Sequence, residues 1–380
     1  MNLTKTAKYV KRFSKFLILL VGVYYLFTLV IFPGSTAIFK AIFVKSVPTN
    51  PIYGQLDQLR FVQKNTGESS PEFILDTPNG KLPQDIPDRM KVYKFRPQQY
   101  SYLAGTNAID EARTLGFNEE NLVSDLKGTV YGWRNSLTTS TLSIDINSRV
   151  ITINTNLTGK ESYFTKGAIT ETSAKETAKE IMESIYRFND ELYPEGDQKV
   201  TFGSYTNNRV RETTEENQAQ VAMVDFYRSI DEYPILGQDP SRGLMRIVVR
   251  KQSNKPDPMN NPILEAHYWE IDTETKSSYP IVPVSSAWNE VSKGKGIIVS
   301  VVPRSLDPFE NYSPVQVDKI FVDNIYLAYY ETNEYQAYLQ PVYVFSGTYT
   351  TNGSQGGDIV LYYPAITADL IKSNGGETTE

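Results

Sequence analysis

The stretch "YLQPVYVFSGTYTTNGSQGGDIVLYYPAI", residues 338–366, decides the fold near the C-terminus, because two apolar and aromatic runs flank a gap rich in glycine. The gap "TNGSQGG" (351–357) predicts the loop of a β-hairpin, and "DIVLYY" (358–363) predicts the returning strand. Pro341 lacks an amide donor, so it is expected at a strand start, an edge or a bulge. We therefore interpret the stretch as an antiparallel strand pair.

The tyrosines of this stretch have two readings. Aromatic residues favour strands, so sheet formation explains most of them without any ligand. A tyrosine on an uncovered face of the sheet would instead offer an apolar ring and a hydroxyl to a partner. Tyr343 and Tyr362 are accordingly the candidate exposed binding residues.

Composition excludes several kinds of chemistry. The chain has 380 residues, 40% of them apolar and 22% charged, which is typical of a folded protein with two or three domains. It has no cysteine and a single histidine, His267, so thiolate sites, disulfides and multi-histidine metal centres are impossible. Phosphate-loop, dinucleotide, serine-hydrolase and EF-hand motifs are absent from the sequence. We expect no cofactor, no metal, no catalytic residue and no enzymatic activity.

The N-terminus carries the strongest localisation signal. Residues 1–15 contain five basic side chains and no acid, and residues 16–32 contain no charge before Pro33 and Gly34. Seventeen helical residues cover about 26 Å, close to the thickness of a bilayer core. Residues 16–34 are therefore predicted to be a transmembrane helix in contact with the lipid bilayer. The positive-inside rule places residues 1–15 in the cytoplasm and the bulk of the chain outside the cell membrane.

Two other interpretations of the N-terminus stay open. "STA" (35–37) is compatible with signal-peptide cleavage, although the apolar run is longer than is typical of such peptides. A buried core helix would also be apolar, but it would not explain the basic flank.

Beyond residue 15 the chain has 33 basic and 44 acidic residues. An acidic exterior part predicts no nucleic-acid binding, which needs a basic face.

The remainder divides by pattern into a proline-rich stalk, three units and a tail. The predicted stalk covers residues 35–90, and the units cover 91–168, 169–283 and 284–366. Helical periodicity marks residues 106–117, 173–188 and 285–294, and period-two runs follow each of these segments. Residues 367–380 are expected to be a flexible tail. The predicted fold class is α+β, with repeated units of a short helix packed on an antiparallel sheet after the transmembrane helix.

Four C-terminal segments resemble the last unit of the YycH/YycI family and related PepSY-like domains. They are "YPIVPVSSAWNEVSKGKGI" (279–297), "DNIYLAYYE" (323–331), "YLQPVYVFSG" (338–347) and "IVLYYPAI" (359–366). The resemblance covers about 90 residues, and it implies an anchored protein of α+β units that binds a membrane sensor kinase and modulates its signalling. Pro364 departs from the family pattern, and no functional residue is carried over.

The leading functional hypothesis is a single-pass, membrane-anchored protein of a bacterial envelope that binds and regulates another protein. A membrane sensor is one candidate for that partner. The first alternative is a module that binds cell-wall glycan through exposed tyrosines. The second is a hydrolase with a carboxylate pair, because 44 acidic residues are present and their spatial arrangement cannot be read from the sequence.

Overall fold

The structure is a computed structural model, and it describes residues 51–67, 70–97, 101–123, 129–164, 169–188, 192–251, 255–267 and 269–372. The described residues from Ile52 onward belong to one compact unit. The predicted cytoplasmic tail (1–15) and transmembrane helix (16–34) lie outside the described residues. Within the described part of the chain, no helix has the length and apolar character needed to cross a membrane.

Helices are few and strands are many. The helices are α1 (Ala104–Thr114), α2 (Glu171–Ser184), the short α3 (Leu192–Glu195) and α4 (Val284–Glu290), which continues as a π-helical turn over Val291–Lys295. The first eight strands are β1 (Glu72–Leu75), β2 (Arg89–Phe95), β3 (Val130–Asn135), β4 (Ser140–Asp145), β5 (Ile151–Thr155), β6 (Gln198–Thr206), β7 (Arg209–Glu212) and β8 (Val221–Phe226). The others are β9 (Arg228–Ile230), β10 (Tyr233–Leu236), β11 (Met245–Arg250), β12 (Ile263–Ala266), β13 (Ile271–Pro280), β14 (Ile297–Pro303), β15 (Lys319–Tyr330), β16 (Tyr338–Thr351) and β17 (Ser354–Pro364).

The first sheet has nine strands, and the quoted C-terminal stretch lies at its centre. Its main path runs β13-β2-β16-β15-β10-β9, while β17 joins β16 to β14 and β1 pairs with β15. The predicted hairpin is confirmed as β16 and β17, with Val344 opposite Tyr362. The turn is shorter than expected, because Asn352 and Gly353 alone form it with positive φ values of 48° and 74°. Asn-Gly is the residue pair that such two-residue hairpins favour.

Pro341 occupies a place in β16 that does not need an amide donor. On one side β16 pairs with β15 along most of its length. On its other side it pairs with β2 through Leu339 and with β17 from Val342 onward. Pro341 lies at this change of neighbour, which explains how a long internal strand tolerates a proline.

The second sheet has eight strands in the order β3-β4-β5-β12-β11-β8-β6-β7, and all of its pairs are antiparallel. Helix α2 packs on β6, β8 and β11, and α1 packs on β3. The apolar stripe of α2 faces this core through residues Ala174, Ala178, Ile181 and Met182. The predicted helix at 173–188 is therefore confirmed in kind, but it begins earlier, because Thr170 rather than Ser173 is its N-cap.

The predicted fold of repeated helix-on-sheet units is wrong. The protein is mostly β-structure with two sheets. The nine-stranded sheet takes β2 from residues 91–168 and its flank, β9, β10 and β13 from 169–283, and β14 to β17 from 284–366. It is also mixed, since β1 and β10 both run parallel to β15. Period-two patterns identify strands but do not identify the strands that pair with them. The order of helices and strands along the chain therefore predicted the wrong sheet arrangement.

The segment predicted as a stalk is also part of the packed domain where the structure describes it. Leu56 is fully buried and forms a parallel bridge with Ile371, and β1 lies beside the start of β15. That bridge also ties down residues 367–372, the described part of the predicted flexible tail. The described prolines of this region, such as Pro71 and Pro78, lie in loops beside the strands of the packed domain.

Candidate functional site

One large groove lies beside residues 57–62, which we call the strap. The groove has a volume of about 850 Å³. Its second wall is the loop that joins β15 to β16, residues 332–337, together with the start of β16. Cavities of about 300–1,000 Å³ accommodate small ligands or a few side chains of a partner.

Hydrogen bonds fasten the strap to the nine-stranded sheet at several points. Its flanks are held by main-chain bonds from Leu56 N–H to the Leu370 carbonyl and from Lys64 N–H to the Ile298 carbonyl, both at 2.8 Å. In the middle, the Tyr330 hydroxyl donates to the Arg60 carbonyl at 2.9 Å. The strap is thus a fixed wall of the groove, because its attachments come from β14, from β15 and from the 3-10 helical turn Ala368–Leu370.

Apolar surface is exposed on both walls of the groove. Val62 of the strap is 54% exposed, and Tyr335 of the opposite loop is 49% exposed. The Tyr335 ring packs edge-on against Trp269 with 5.5 Å between ring centres, which supports its position from beneath. Large apolar side chains left in water at a groove are typical of an interaction surface.

The strap also retains hydrogen-bonding capacity in its main chain. The N–H groups of Leu59, Phe61 and Val62 donate to no group in the part of the chain that the structure describes. Main-chain groups that are not used inside the fold can bind the main chain of an added segment. The groove therefore combines apolar side chains with main-chain donors.

A second cavity of about 710 Å³, which we call the arginine cleft, lies between the two sheets and the first half of α1. Its charged lining consists of Arg96, Arg149, Arg187, Glu111, Asp145 and Glu270. Arg96 and Glu270 form an exposed ion pair of 2.6 Å at the cleft. An ion pair of this kind contributes little to stability and can open readily.

The floor of the arginine cleft is a buried ion pair. The Nη2 atom of Arg187 lies 3.2 Å from Oε2 of Glu111, and both side chains are nearly inaccessible to solvent. Burial lowers the pKa of Arg187 to about 10; Glu111 opposes this effect and the neighbouring Arg149 adds to it. Arg187 therefore remains charged at neutral pH, with Glu111 as its counter-ion.

The single histidine belongs to a different, fully enclosed cluster. His267 Nε2 lies 3.1 Å from Glu331 Oε1, an ion-pair distance without hydrogen-bond geometry. Arg228 binds the other oxygen of Glu331 and donates to the Trp269 carbonyl at 3.1 Å. Burial opposes the charge of Glu331, but Arg228 and His267 hold its pKa below the ordinary value. His267 directly follows β12 and is 6% exposed.

Tyr343 and Tyr362, proposed from the sequence as exposed binding residues, do not reach solvent. Both side chains are 0% exposed. The Tyr343 hydroxyl donates to the Val282 carbonyl at 2.6 Å, and the Tyr362 hydroxyl donates to the Gly237 carbonyl at 3.0 Å. Burial raises the pKa of Tyr343 to about 12 and that of Tyr362 well above its ordinary range. Their role is structural, since each hydroxyl satisfies a main-chain acceptor inside the fold.

The carboxylates of the arginine cleft do not form an acid–base pair suited to glycoside cleavage. A general acid needs a raised pKa, whereas hydrogen bonds from Asn147 and Ser148 outweigh burial and lower the pKa of Asp145. Glu111 and Glu270 are each bound to an arginine. Asp323 does have a pKa raised by burial and by nearby acids, but it lines neither cavity. Within the described ranges, no cluster of acidic or histidine side chains has the arrangement of a metal site.

Sequence reasoning did not identify either cavity. Arg149 stands in the turn "NSRV" and Arg187 follows the amphipathic stripe of α2, positions where charged residues are ordinary. Tyr335 is one of 26 tyrosines, and nothing in its neighbours distinguishes it. Only the positions of these residues in the folded protein distinguish them from other arginines and tyrosines of the chain.

Comparison with known proteins adds no functional information. No family model matches the chain, and no curated protein matches it. One solved structure with some similarity is an uncharacterized protein from Eubacterium rectale ATCC 33656, with 15% identity and a TM-score of 0.40. The alignment covers 74% of this chain and 84% of that one. A TM-score of this size carries no argument about fold or function.

Proposed function

We propose that this chain is a single-pass, membrane-anchored protein of a bacterial envelope that binds another protein outside the cytoplasm and regulates it. The strap groove carries the proposal. Exposed apolar side chains on two walls and unused main-chain donors on one wall suit an extended segment of a protein partner. A membrane sensor is one candidate partner, as the resemblance to the YycH/YycI family implies.

The membrane anchor in this proposal rests on the sequence. Five basic residues precede the uncharged run at 16–32, and the remaining chain is acidic. Fusions at the C-terminus test the orientation. Alkaline phosphatase is expected to be active and green fluorescent protein dark, and the reverse pattern would contradict the proposal. A variant without residues 16–32 is expected to leave the membrane fraction.

Site-specific crosslinking tests the binding role of the groove. A photoreactive phenylalanine analogue at Tyr335 or at Val62 is expected to capture one and the same envelope protein in intact cells. The matched control places the analogue at Leu137, which is 85% exposed and does not line the groove. Equal capture at all three positions, or capture of nothing at the groove, would count against the proposal.

Glycan binding is the second candidate function, and exposed tyrosines favour it. Tyr102 and Tyr186 are both largely exposed, and rings of this kind stack on sugars. Sedimentation of the purified protein with cell-wall material measures this activity. Loss of sedimentation in Tyr186→Ala but not in Tyr335→Ala would favour the glycan role over the groove.

A further inference from the structure

Among the residues that the structure describes, Arg149 has no counter-ion in the arginine cleft. Its guanidinium makes one side-chain hydrogen bond, from Nη2 to the Tyr186 carbonyl at 3.3 Å, and forms no ion pair with any residue that the structure describes. The two other guanidinium groups of the cleft are each paired with a carboxylate, Arg96 with Glu270 and Arg187 with Glu111. The positive charge of Arg149 therefore stays available to a ligand.

The main chain of Arg149 is held in place by two hydrogen bonds. Its N–H donates to the Asp145 carbonyl at 2.7 Å, and its own carbonyl accepts from Nε of Arg187 at 3.0 Å. Its φ is +58°, a conformation that the β4–β5 turn imposes and that ordinary side chains seldom adopt. Because the backbone is held at both ends, a ligand would have to order only the side-chain torsions of Arg149.

The surroundings of Arg149 specify what kind of anion fits. Asp145 also lines the cleft and remains charged, because hydrogen bonds lower its pKa. With the other two pairs closed, the lining of the cleft carries one unpaired cation and one carboxylate, so a monoanion suits it better than a dianion. Tyr186, 61% exposed, lines the cleft and its carbonyl accepts from the Arg149 guanidinium, and Ile144 and Ile146 add apolar lining.

We propose that the arginine cleft binds the carboxylate group of a small organic monoanion, with Arg149 as the binding residue and the apolar part of the ligand against Tyr186. A guanidinium matches a carboxylate through two parallel N–H···O hydrogen bonds. A cleft of about 710 Å³ has room for the organic part as well. This site is separate from the strap groove, so its ligand is distinct from the protein partner.

Two probe pairs test the carboxylate class and its source. N-acetylphenylalanine and its neutral amide represent the free end of a peptide, while benzoate and benzamide represent a carboxylate that is not a peptide. Each is titrated by calorimetry into the full chain in detergent, with inorganic phosphate as a further probe. At least one acid is expected to bind, and its amide is expected to bind at least about tenfold more weakly.

Substitutions at Arg149 decide whether that residue is responsible. Arg149→Gln is expected to weaken the acid at least about tenfold and to leave the amide unchanged. Arg149→Lys keeps the charge without the two-pronged geometry, so it is expected to recover part of the affinity. Arg134→Gln is the matched control, because Arg134 is an exposed arginine on β3 that does not line the cleft.

The proposal is overturned by any of four results. These are no binding of either acid, equal binding of acid and amide, unchanged affinity in Arg149→Gln, and tighter binding of phosphate than of both acids. Thermal unfolding of each variant shows whether it is folded. If Arg149→Gln fails to fold, Tyr186→Ala replaces it, and equal acid binding by that variant and the wild type then overturns the proposal.

Discussion

His267 and Glu331 meet inside the protein at 3.1 Å, although they follow strands of different sheets. His267 follows β12 of the eight-stranded sheet, and Glu331 follows β15 of the nine-stranded sheet. Arg228, where the chain has just crossed from β8 to β9, binds the same carboxylate. This cluster therefore ties together two of the places where the chain passes between the sheets, β8 to β9 and β12 to β13.

Glu331→Gln is expected to destabilise the protein by about 3–5 kcal/mol, because it removes the charge of a fully buried carboxylate that binds Arg228. His267→Gln is expected to destabilise the protein less, since His267 approaches Glu331 without hydrogen-bond geometry whereas Arg228 binds it directly. Chemical denaturation of both variants measures the difference. Equal losses would show that the histidine is as important to the carboxylate as the arginine.

Glu111→Gln is expected to destabilise the protein by about 3–5 kcal/mol, for the same physical reason, because Arg187 is 1% exposed. Arg149→Gln serves as the comparison at the same cleft and is expected to cost less than about 1 kcal/mol, because Arg149 has no ion pair to lose among the described residues. Urea unfolding curves distinguish the two. A larger loss in Arg149→Gln would show that its charge supports the fold.

The buried tyrosines are expected to matter for stability and not for partner binding. Tyr343→Phe and Tyr362→Phe each leave a buried carbonyl without its donor, which costs about 1–3 kcal/mol. Tyr335→Phe is the control and is expected to be neutral, because that side chain is half exposed. Thermal unfolding and the crosslinking assay together check both statements. Loss of partner capture in folded Tyr362→Phe would contradict them.

The ion pair between Lys64, which follows the strap, and Asp239 is expected to weaken in acid. Burial opposes ionisation of Asp239, but Lys64 at 2.6 Å and Ser241 hold its pKa below the ordinary value. A carboxyl with a lowered folded-state pKa stabilises the fold above its unfolded-state pKa, and this stability is lost as the pH falls through the folded-state value. Asp239→Asn is therefore expected to be less stable than the wild type at neutral pH, with a difference that shrinks below about pH 4.

Unfolding free energies measured against pH test this expectation. Asp57→Asn is the control, since the pair of Asp57 with Lys372 is exposed on both sides and is expected to contribute less than about 1 kcal/mol. A pH profile for Asp239→Asn that runs parallel to the wild-type profile would refute the role of this carboxyl.

Gly347→Ala is expected to destabilise the central strand β16 by at least about 2 kcal/mol, because an added Cβ would lie 1.8 Å from the Phe321 carbonyl oxygen. Gly132→Ala on β3 is the control, since a Cβ there meets nothing within 4 Å and is expected to change stability by less than about 1 kcal/mol. Circular-dichroism melting curves compare the two. A neutral Gly347→Ala would mean that β15 can move away from β16.

The sequence by itself determined the local elements. Alternation and the Asn352–Gly353 pair specify the β16–β17 hairpin, because a two-residue turn of that composition closes strands without help from the rest of the chain. The apolar stripe of α2 likewise specifies a helix with one buried face. Both depend on contacts between residues that are near in sequence, so a single sequence is sufficient to predict them.

Only the tertiary structure decided which strands are neighbours and which side chains form sites. Alternation of apolar and polar residues shows that a strand has a buried face, but it does not show what covers that face. It therefore could not predict the pairing of β1 with β15 or the burial of Tyr343 and Tyr362. Arg149 and Arg187 are 38 positions apart and meet only after the β4–β5 turn and the end of α2 are packed together. The cavities are properties of that packing, and for this reason the candidate sites could not be predicted from the order of residues.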